Sequence, residues 1–245
     1  MGMKSDKTLI VKGKRLDGRG AEDMRPIKIT AGVIKQADGS CEVQFGETKV
    51  IAAVYGPKKV LPRRYEESTR AYLKVYYFMA AFATSERNRP GPSRRSTEIS
   101  KVIKESLANA VDLDKYPQTE ISVYIEVTNA NAGTRTAAIN AASVALVDAG
   151  IEMRDIVTSV AAGKVEGQVI LDLMQDEDNF GQADLPVAIL PRTNEISLIQ
   201  MDGDMTPDEV KKAFGMCIKA CQKIAKLQRE AIVNKYKQEG GNNDE

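Results

Sequence analysis

Histidine is missing from this 245-residue chain. Its absence removes the Cys/His zinc site, the Ser-His-Asp triad and the imidazole general base from consideration. Chemistry must rest on carboxylates, Lys, Tyr, hydroxyls, backbone amides or a bound ion. The three cysteines, Cys41, Cys217 and Cys221, make no disulfide framework. Cys217 and Cys221 stand four apart among apolar residues of an expected helix and read as core packing. No apolar run approaches the ~20 residues that cross a bilayer, and the opening "MGMKSDKTLI" lacks a signal-peptide pattern. The expectation is a cytoplasmic protein with no membrane partner.

What is present is ordinary in bulk and uneven in place. Hydrophobic residues make up 42% and charged residues 28%, as in a soluble globular protein. The formal net charge is +1, yet Lys58 to Lys104 holds twelve Lys/Arg against four Glu. A basic segment inside an otherwise acidic chain suggests a local polyanion site, with a solvated surface as the alternative.

Periodicity organises the chain. "MRPIKITAGVIKQADGS" and "CEVQFGETKVIAAVYGP" read as strands, with Asp38-Gly39 as a hairpin turn. "RAYLKVYYFMAAF" continues them before Pro90, Gly91 and Pro92 break the pattern. Ile99, Val102, Ile103, Leu107 and Val111 then recur at helical spacing. "TEISVYIEVT" is a strand running through "NANAGTR" into the alanine-rich helix "TAAINAASVALVDAG", ending at Gly150. A second β-rich set follows, with turns at Gly167 and Asn194. Thr206-Pro207-Asp208-Glu209 starts a last helix expected to reach about residue 237. This order predicts an α+β architecture in two lobes, with helices packed on sheet faces.

Three places could carry chemistry. In Ala132–Thr136, "AGTRT", unpaired amides at a helix start would stabilise an anion. Gly133 lets it approach the backbone, Thr134 or Thr136 can cap, and Arg135 adds a fork of donors; an ordinary cap is the alternative. In "GPSRRSTEIS", Arg94 and Arg95 sit where cations oppose the helix dipole. That makes sense if a negative ligand lies between, or if they pair with Glu98 or face solvent. In "DEDNFGQAD", four acids surround Gly181. Asn179-Phe180-Gly181 is turn chemistry, so a hairpin is expected to bring Asp178 and Asp184 together. Converging carboxylates bind a hard cation such as Mg²⁺ or Mn²⁺, or keep one proton; both stay open beside the plain hairpin tip. Together the three places suggest phosphoryl chemistry on a polyanion.

At these residues the sequence resembles the RNase PH family of phosphate-dependent 3′→5′ exoribonucleases, and within it the catalytic RNase PH-like subunits of archaeal exosomes. The resemblance runs from about Arg15 to Tyr236 through "RLDGRGAEDMRPIKITAGV", "RNRPGPSRRSTEISKVIKESL", "NAGTRTAAINAASVALVDAGIEMRDIVTSVAAGKVEG", "LDLMQDEDNFGQADLPVAILP" and "MDGDMTPDE". It implies the RNase PH fold, a βαβ-containing α+β architecture with helices on mixed sheets. Residues 15–155 would be the first domain and 156–237 the second, between a flexible 1–14 and a disordered 238–245. It implies phosphorolysis of single-stranded RNA, with inorganic phosphate as co-substrate, nucleoside 5′-diphosphates as products and 3′ extension as the reverse. A nucleophile that is already an anion fits the missing histidine.

By the same resemblance, Arg95, Gly133, Thr134, Arg135 and Thr136 would bind phosphate. Asp178 and Asp184 would be catalytic, Asp178 as general acid and Asp184 orienting it or holding a divalent ion. Arg94, Arg63, Arg64 and Arg70 would contact the RNA backbone, and Tyr65 would offer a face to a base. Related polynucleotide phosphorylases carry a lysine two residues after the second aspartate; Pro186 stands there in this chain, leaving the metal's ligand set open. The implied partners are the 3′ end of single-stranded RNA, an inactive RNase PH-like paralogue alternating in a six-membered ring of three heterodimers, and S1/KH-type RNA-binding cap subunits. The competing readings are a non-catalytic ring subunit that threads RNA, and an unrelated phosphate-binding enzyme. The second is weakened by the lack of a Walker-type Gly-Lys-Ser/Thr run.

Overall fold

The computed structural model describes residues 8–11, 13–89 and 91–241. Pro90 and the last four residues of the expected tail lie outside the described residues. The first sheet is built from β3 (Ile27–Ala31), β4 (Gly39–Phe45), β5 (Thr48–Lys59), β6 (Tyr72–Met79) and β7 (Thr119–Asn129), once the short hairpin of β1 (Ile10–Val11) and β2 (Lys14–Arg15) is set aside. Its strand order is β3-β4-β5-β7-β6. All neighbours are antiparallel except β6 and β7, which run parallel and are joined by the crossover helix α1 (Arg94–Ala108).

Helix α2 (Thr134–Asp148) follows β7. The second sheet holds β8 (Thr158–Val165), β9 (Gln168–Leu171), β10 (Ala183–Leu190), β11 (Glu195–Ile199) and β12 (Asp202–Gly203), ordered β11-β10-β8-β9 with β12 pairing β10. Between β9 and β10 stands the short helix α3 (Gln175–Phe180), and α4 (Pro207–Gly241) closes the chain.

Helix α2 lies between the sheets and explains its own alanines. Thirteen of its fifteen residues are buried, so it has no solvent face to carry charge. Small side chains let both sheets approach it. A Cβ on Gly39, at the start of β4, would stand 2.2 Å from the Ala149 nitrogen at the end of α2. The buried Asn140 and Ser143 side chains of α2 are both used. Asn140 and Ser159 exchange two hydrogen bonds, Gln228 of α4 donates to Asn140 Oδ1, and Ser143 accepts from Val157 N–H. These bonds tie the second sheet and α4 to α2. One apolar core runs through both halves, from Val43 and Leu73 to Val187 and Cys217, which is buried as expected, as is Cys221.

Several local expectations change. Asp38-Gly39 is no two-residue turn: β3 and β4 pair as Ala31 opposite Cys41, and residues 32–38 connect them. Near the described start, Leu9 is buried and its amide donates to Glu166 Oε1 at 2.6 Å. At the other end α4 continues to Gly241, past the expected stop at 237. Its start is as read, with Thr206 and Glu209 exchanging side-chain-to-backbone hydrogen bonds around Pro207.

Candidate active site

The N-termini of α1 and α2 open onto one cleft of about 290 Å³, which α3 and β10 complete. Ser93 caps α1, accepting from Ser96 N–H at 3.0 Å. Arg94 and Arg95 thus occupy the first turn, and Arg95 lines the cleft whereas Arg94 does not. Neither pairs with Glu98 among the ion pairs of the described residues. At α2 the cap is Gly133 itself, at φ +64°, preceded by Ala132 at φ +55°. Left-handed Gly133 leads directly into helical Thr134, whose helix start leaves first-turn amides without intrahelical partners, an arrangement suited to an anion. The expected threonine caps do other work. Thr134 is buried and its hydroxyl accepts from Tyr77 Oη at 2.9 Å; Thr136 Oγ1 donates back to Gly133 O at 2.9 Å. Arg135 donates to Gln200 Oε1 at 2.5 Å, while its buried Nε has no partner.

Asp178 and Asp184 also line this cleft, but no hairpin brings them together. Residues 175–180 are helix α3, and β10 pairs with β8 rather than folding back on the segment before α3. What makes the helix is Glu177. It is fully buried, accepts from Met174 N–H at 2.8 Å, and forms an ion pair with buried Arg15, whose Nε lies 2.7 Å from its Oε1. One turn later the chain enters β10 at Ala183, which seats Asp184 beside the helix.

Charge in the cleft is finely divided. Asp178 reaches solvent through the mouth of the cleft, yet the surrounding protein raises its proton affinity. Arg95, Arg135 and Arg25 pull it back down, while Asp202 pushes it up. Asp184 is deeper. Burial first, then the Asp178 charge, lift it to about 7, with Arg135 opposing. Its Oδ1 is buried with no partner. Asp184 therefore keeps its proton to a higher pH than an ordinary carboxylic acid does.

A divalent cation fits this donor set in part. The orphaned Asp184 Oδ1 is a hard anionic ligand, but no group of three or more Cys, Asp or Glu converges among the described residues. Asp178 and Asp184 can offer two oxygens, leaving the other positions to water or phosphate, as Mg²⁺ tolerates.

The basic loop lies elsewhere. Arg63–Tyr65 forms one 3-10 turn leading to Tyr72, whereas Met79, at the other end of β6, lines the cleft. Those strand ends are roughly 23 Å apart at ~3.3 Å per residue. Tyr65 is 38% exposed. It stacks on Tyr72 at 5.1 Å between centroids, and the Arg64 guanidinium lies 4.9 Å from its ring centre. Arg70 pairs with Glu67 on the surface. Residue-type reasoning passed over Gln175, Asn88 and Thr84, which line the cleft, and Asp202, which acts on both aspartates. For Asp202 the dense "MDGDM" was a signal; for the uncharged three there was none.

Comparison with known proteins agrees with this geometry. The RNase PH model described as "3′ exoribonuclease family, domain 1" matches residues 23–152, and its "domain 2" counterpart matches 155–220. The chain belongs to the RNase PH 3′ exoribonuclease family. Relatives named "Exosome complex component Rrp41" include that of Thermoplasma volcanium, 54% identical across 92% of this chain and 91% of its own length. The protein of that name from Methanopyrus kandleri is 54% identical across 91% of this chain and 94% of its own. Among solved structures, rice (Oryza sativa) Rrp46 superposes with a TM-score of 0.79 at 26% identity, covering 89% of this chain and all of that one.

Proposed function

We infer that this chain is a phosphate-dependent 3′→5′ exoribonuclease, the catalytic subunit of an exosome-like ring. The observation that carries this reading is the meeting of two anion-seeking helix N-termini with two aspartates of raised proton affinity in one cleft. Inorganic phosphate sits on the amides of Gly133 to Thr136, against Arg135 and Arg95. Its oxygen attacks the last phosphodiester phosphorus of single-stranded RNA. The bond from phosphorus to the leaving 3′ oxygen breaks, the shortened RNA departs with a free 3′ hydroxyl, and a nucleoside 5′-diphosphate is released. Two arginines and the helix ends offset the charge that gathers on the phosphoryl oxygens.

The leaving 3′ oxygen needs a proton, and Asp184 is the acid better able to supply it. Burial and the neighbouring Asp178 raise its pKa to about 7, so protonated Asp184 is present at neutral pH. This exchanges the roles first assigned to the two aspartates. Were Asp178 and Asp184 instead to hold a Mg²⁺ or Mn²⁺ ion, both would be ionised, and the ion in place of the Asp184 proton would neutralise charge on the departing oxygen. Arg94 and the arginines of the basic loop, Arg63, Arg64 and Arg70, hold upstream phosphates of the same strand. Such contacts read backbone and leave sequence unread, as general RNA degradation requires. The two family domains divide near residue 155. The chain works in the cytoplasm in a six-membered ring with an inactive paralogue, beneath S1/KH-type cap subunits.

The test uses 5′-labelled single-stranded RNA and the chain with its ring partner. Shortening should require phosphate and yield nucleoside diphosphates. Monophosphates in phosphate-free buffer would mean hydrolysis, and no shortening would favour a subunit that only threads RNA.

A further inference from the structure

The wall of the cleft rests on a buried ionic mesh to which the mechanism above assigns no part. Arg25, 7% exposed, grips Asp172, 3% exposed, with both ends of its guanidinium: Nη2 meets Oδ1 at 2.6 Å and Nε meets Oδ2 at 3.0 Å. The Arg25 amide adds a third bond to Oδ2 at 2.7 Å. From this fixed base Arg25 Nη1 donates to Asn131 O at 2.5 Å, and Nη2 lies 3.1 Å from where a Cβ on Gly133 would stand. The guanidinium is thus the floor beneath the left-handed pair Ala132 and Gly133. Thr48 holds the same loop from the side, accepting from Asn131 N–H and donating to Ala132 O.

The mesh continues into α3. Gln175 N–H donates to Asn131 Oδ1 at 2.8 Å. Arg15 donates to the carbonyls of Leu171 and Asp172 and holds Glu177, the residue before Asp178. One set of buried ions therefore spans from the anion cradle to the acidic helix. Stability alone does not call for it, since a buried ion pair is commonly matched by apolar residues of similar volume. Geometry does: a displacement of about 1 Å at a reacting centre can cost ~100-fold in rate.

We propose that Arg25 and Asp172 are positioning residues that clamp the backbone of residues 131–133 at a set distance from Asp178 on α3. This rests on the phosphorolytic reading above. Arg25→Gln and Asp172→Asn should each raise KM for phosphate at least tenfold while leaving KM for RNA within about twofold. Arg25→Lys, which keeps charge but loses the fork, should fall between. The double variant should be no worse than the worse single one, because the pair acts as a unit.

The readout besides turnover is titration of the RNA-free full chain with inorganic phosphate, followed by ³¹P line width. Folded variants that bind phosphate as tightly as the parent, with unchanged KM, would overturn the proposal. If Arg25→Gln does not fold, Thr48→Val, which removes the lateral anchor at nearly constant volume, decides. A severalfold weaker phosphate affinity supports the clamp, and an unchanged one sinks it. A parent chain that neither binds phosphate nor shortens RNA would bring down the phosphorolytic reading, and the clamp with it. A working parent with indifferent variants brings down the clamp alone.

Discussion

Arg25, beneath the Ala132-Gly133 loop, is 7% exposed and bonded to a carboxylate and a loop carbonyl far along the chain. Arg70, in the basic loop, keeps 55% of its side chain in solvent and pairs with Glu67, three residues away. Both are arginines beside acids, yet they are built for different tasks. In the cleft, charge is placed by packing, and each group's proton affinity answers to its neighbours. In the loop, charge is placed by the chain's own local turn and is screened by water and salt. A bond-breaking site needs the first arrangement, because tenths of an ångström matter there. Holding the backbone of a flexible strand needs only the second.

The largest effect that would separate the two regions is expected at Asp184. Asp184→Asn removes the proton donor, and turnover should fall by about 10²–10⁴ while RNA binding in phosphate-free buffer stays near the parent's. The same variant carries a sign test. The folded state holds a proton on Asp184 up to about pH 7, whereas the unfolded chain releases it near 3.8. Native protein therefore binds more protons in that window and loses stability as pH rises through it. Asp184→Asn should abolish this loss, gaining up to about 4 kcal/mol at pH 8 and almost nothing at pH 4. Thermal unfolding at both pH values checks it, and equal gains would refute the raised affinity.

A smaller effect is expected at Gly133. Alanine there must adopt φ +64° with its Cβ 3.1 Å from Arg25 Nη2. Gly133→Ala should raise KM for phosphate about tenfold and leave RNA affinity unchanged, as steady-state kinetics and filter binding would reveal. The smallest effect belongs to the loop. Arg63→Ala with Arg64→Ala should weaken binding of long RNA and lower the salt slope by up to about 1.4, at ~0.7 per single-strand phosphate contact. Turnover of a trinucleotide, too short to reach the loop, should not change. A loss on the trinucleotide would erase the distinction between the regions.

Much of this was legible in residue order. The alanine-rich run at helical spacing before Gly150 became α2, and the glycine and arginine of "AGTRT" stand at its head. The pairing of an anion cradle with an acidic cluster was also readable from composition at each place. The expected acidic hairpin failed for a reason of range. Asn179-Phe180-Gly181 looked like a turn because turn propensity is local, but Arg15, 162 positions away, captures Glu177 and winds the segment into α3.

The chain by itself determined the chemical inventory: no imidazole, two acids near one glycine, small residues for an interior helix, and glycine where the backbone must turn left-handed. These follow from covalent identity and short-range sterics, which every residue carries with it. Only the tertiary structure decided which arginine faces the cleft, how the proton affinity of each aspartate is raised, and that the basic loop lies at the end of β6 away from the cleft. Burial and Coulomb interactions depend on neighbours brought together across the sequence, and those exist only once the two sheets have closed on α2.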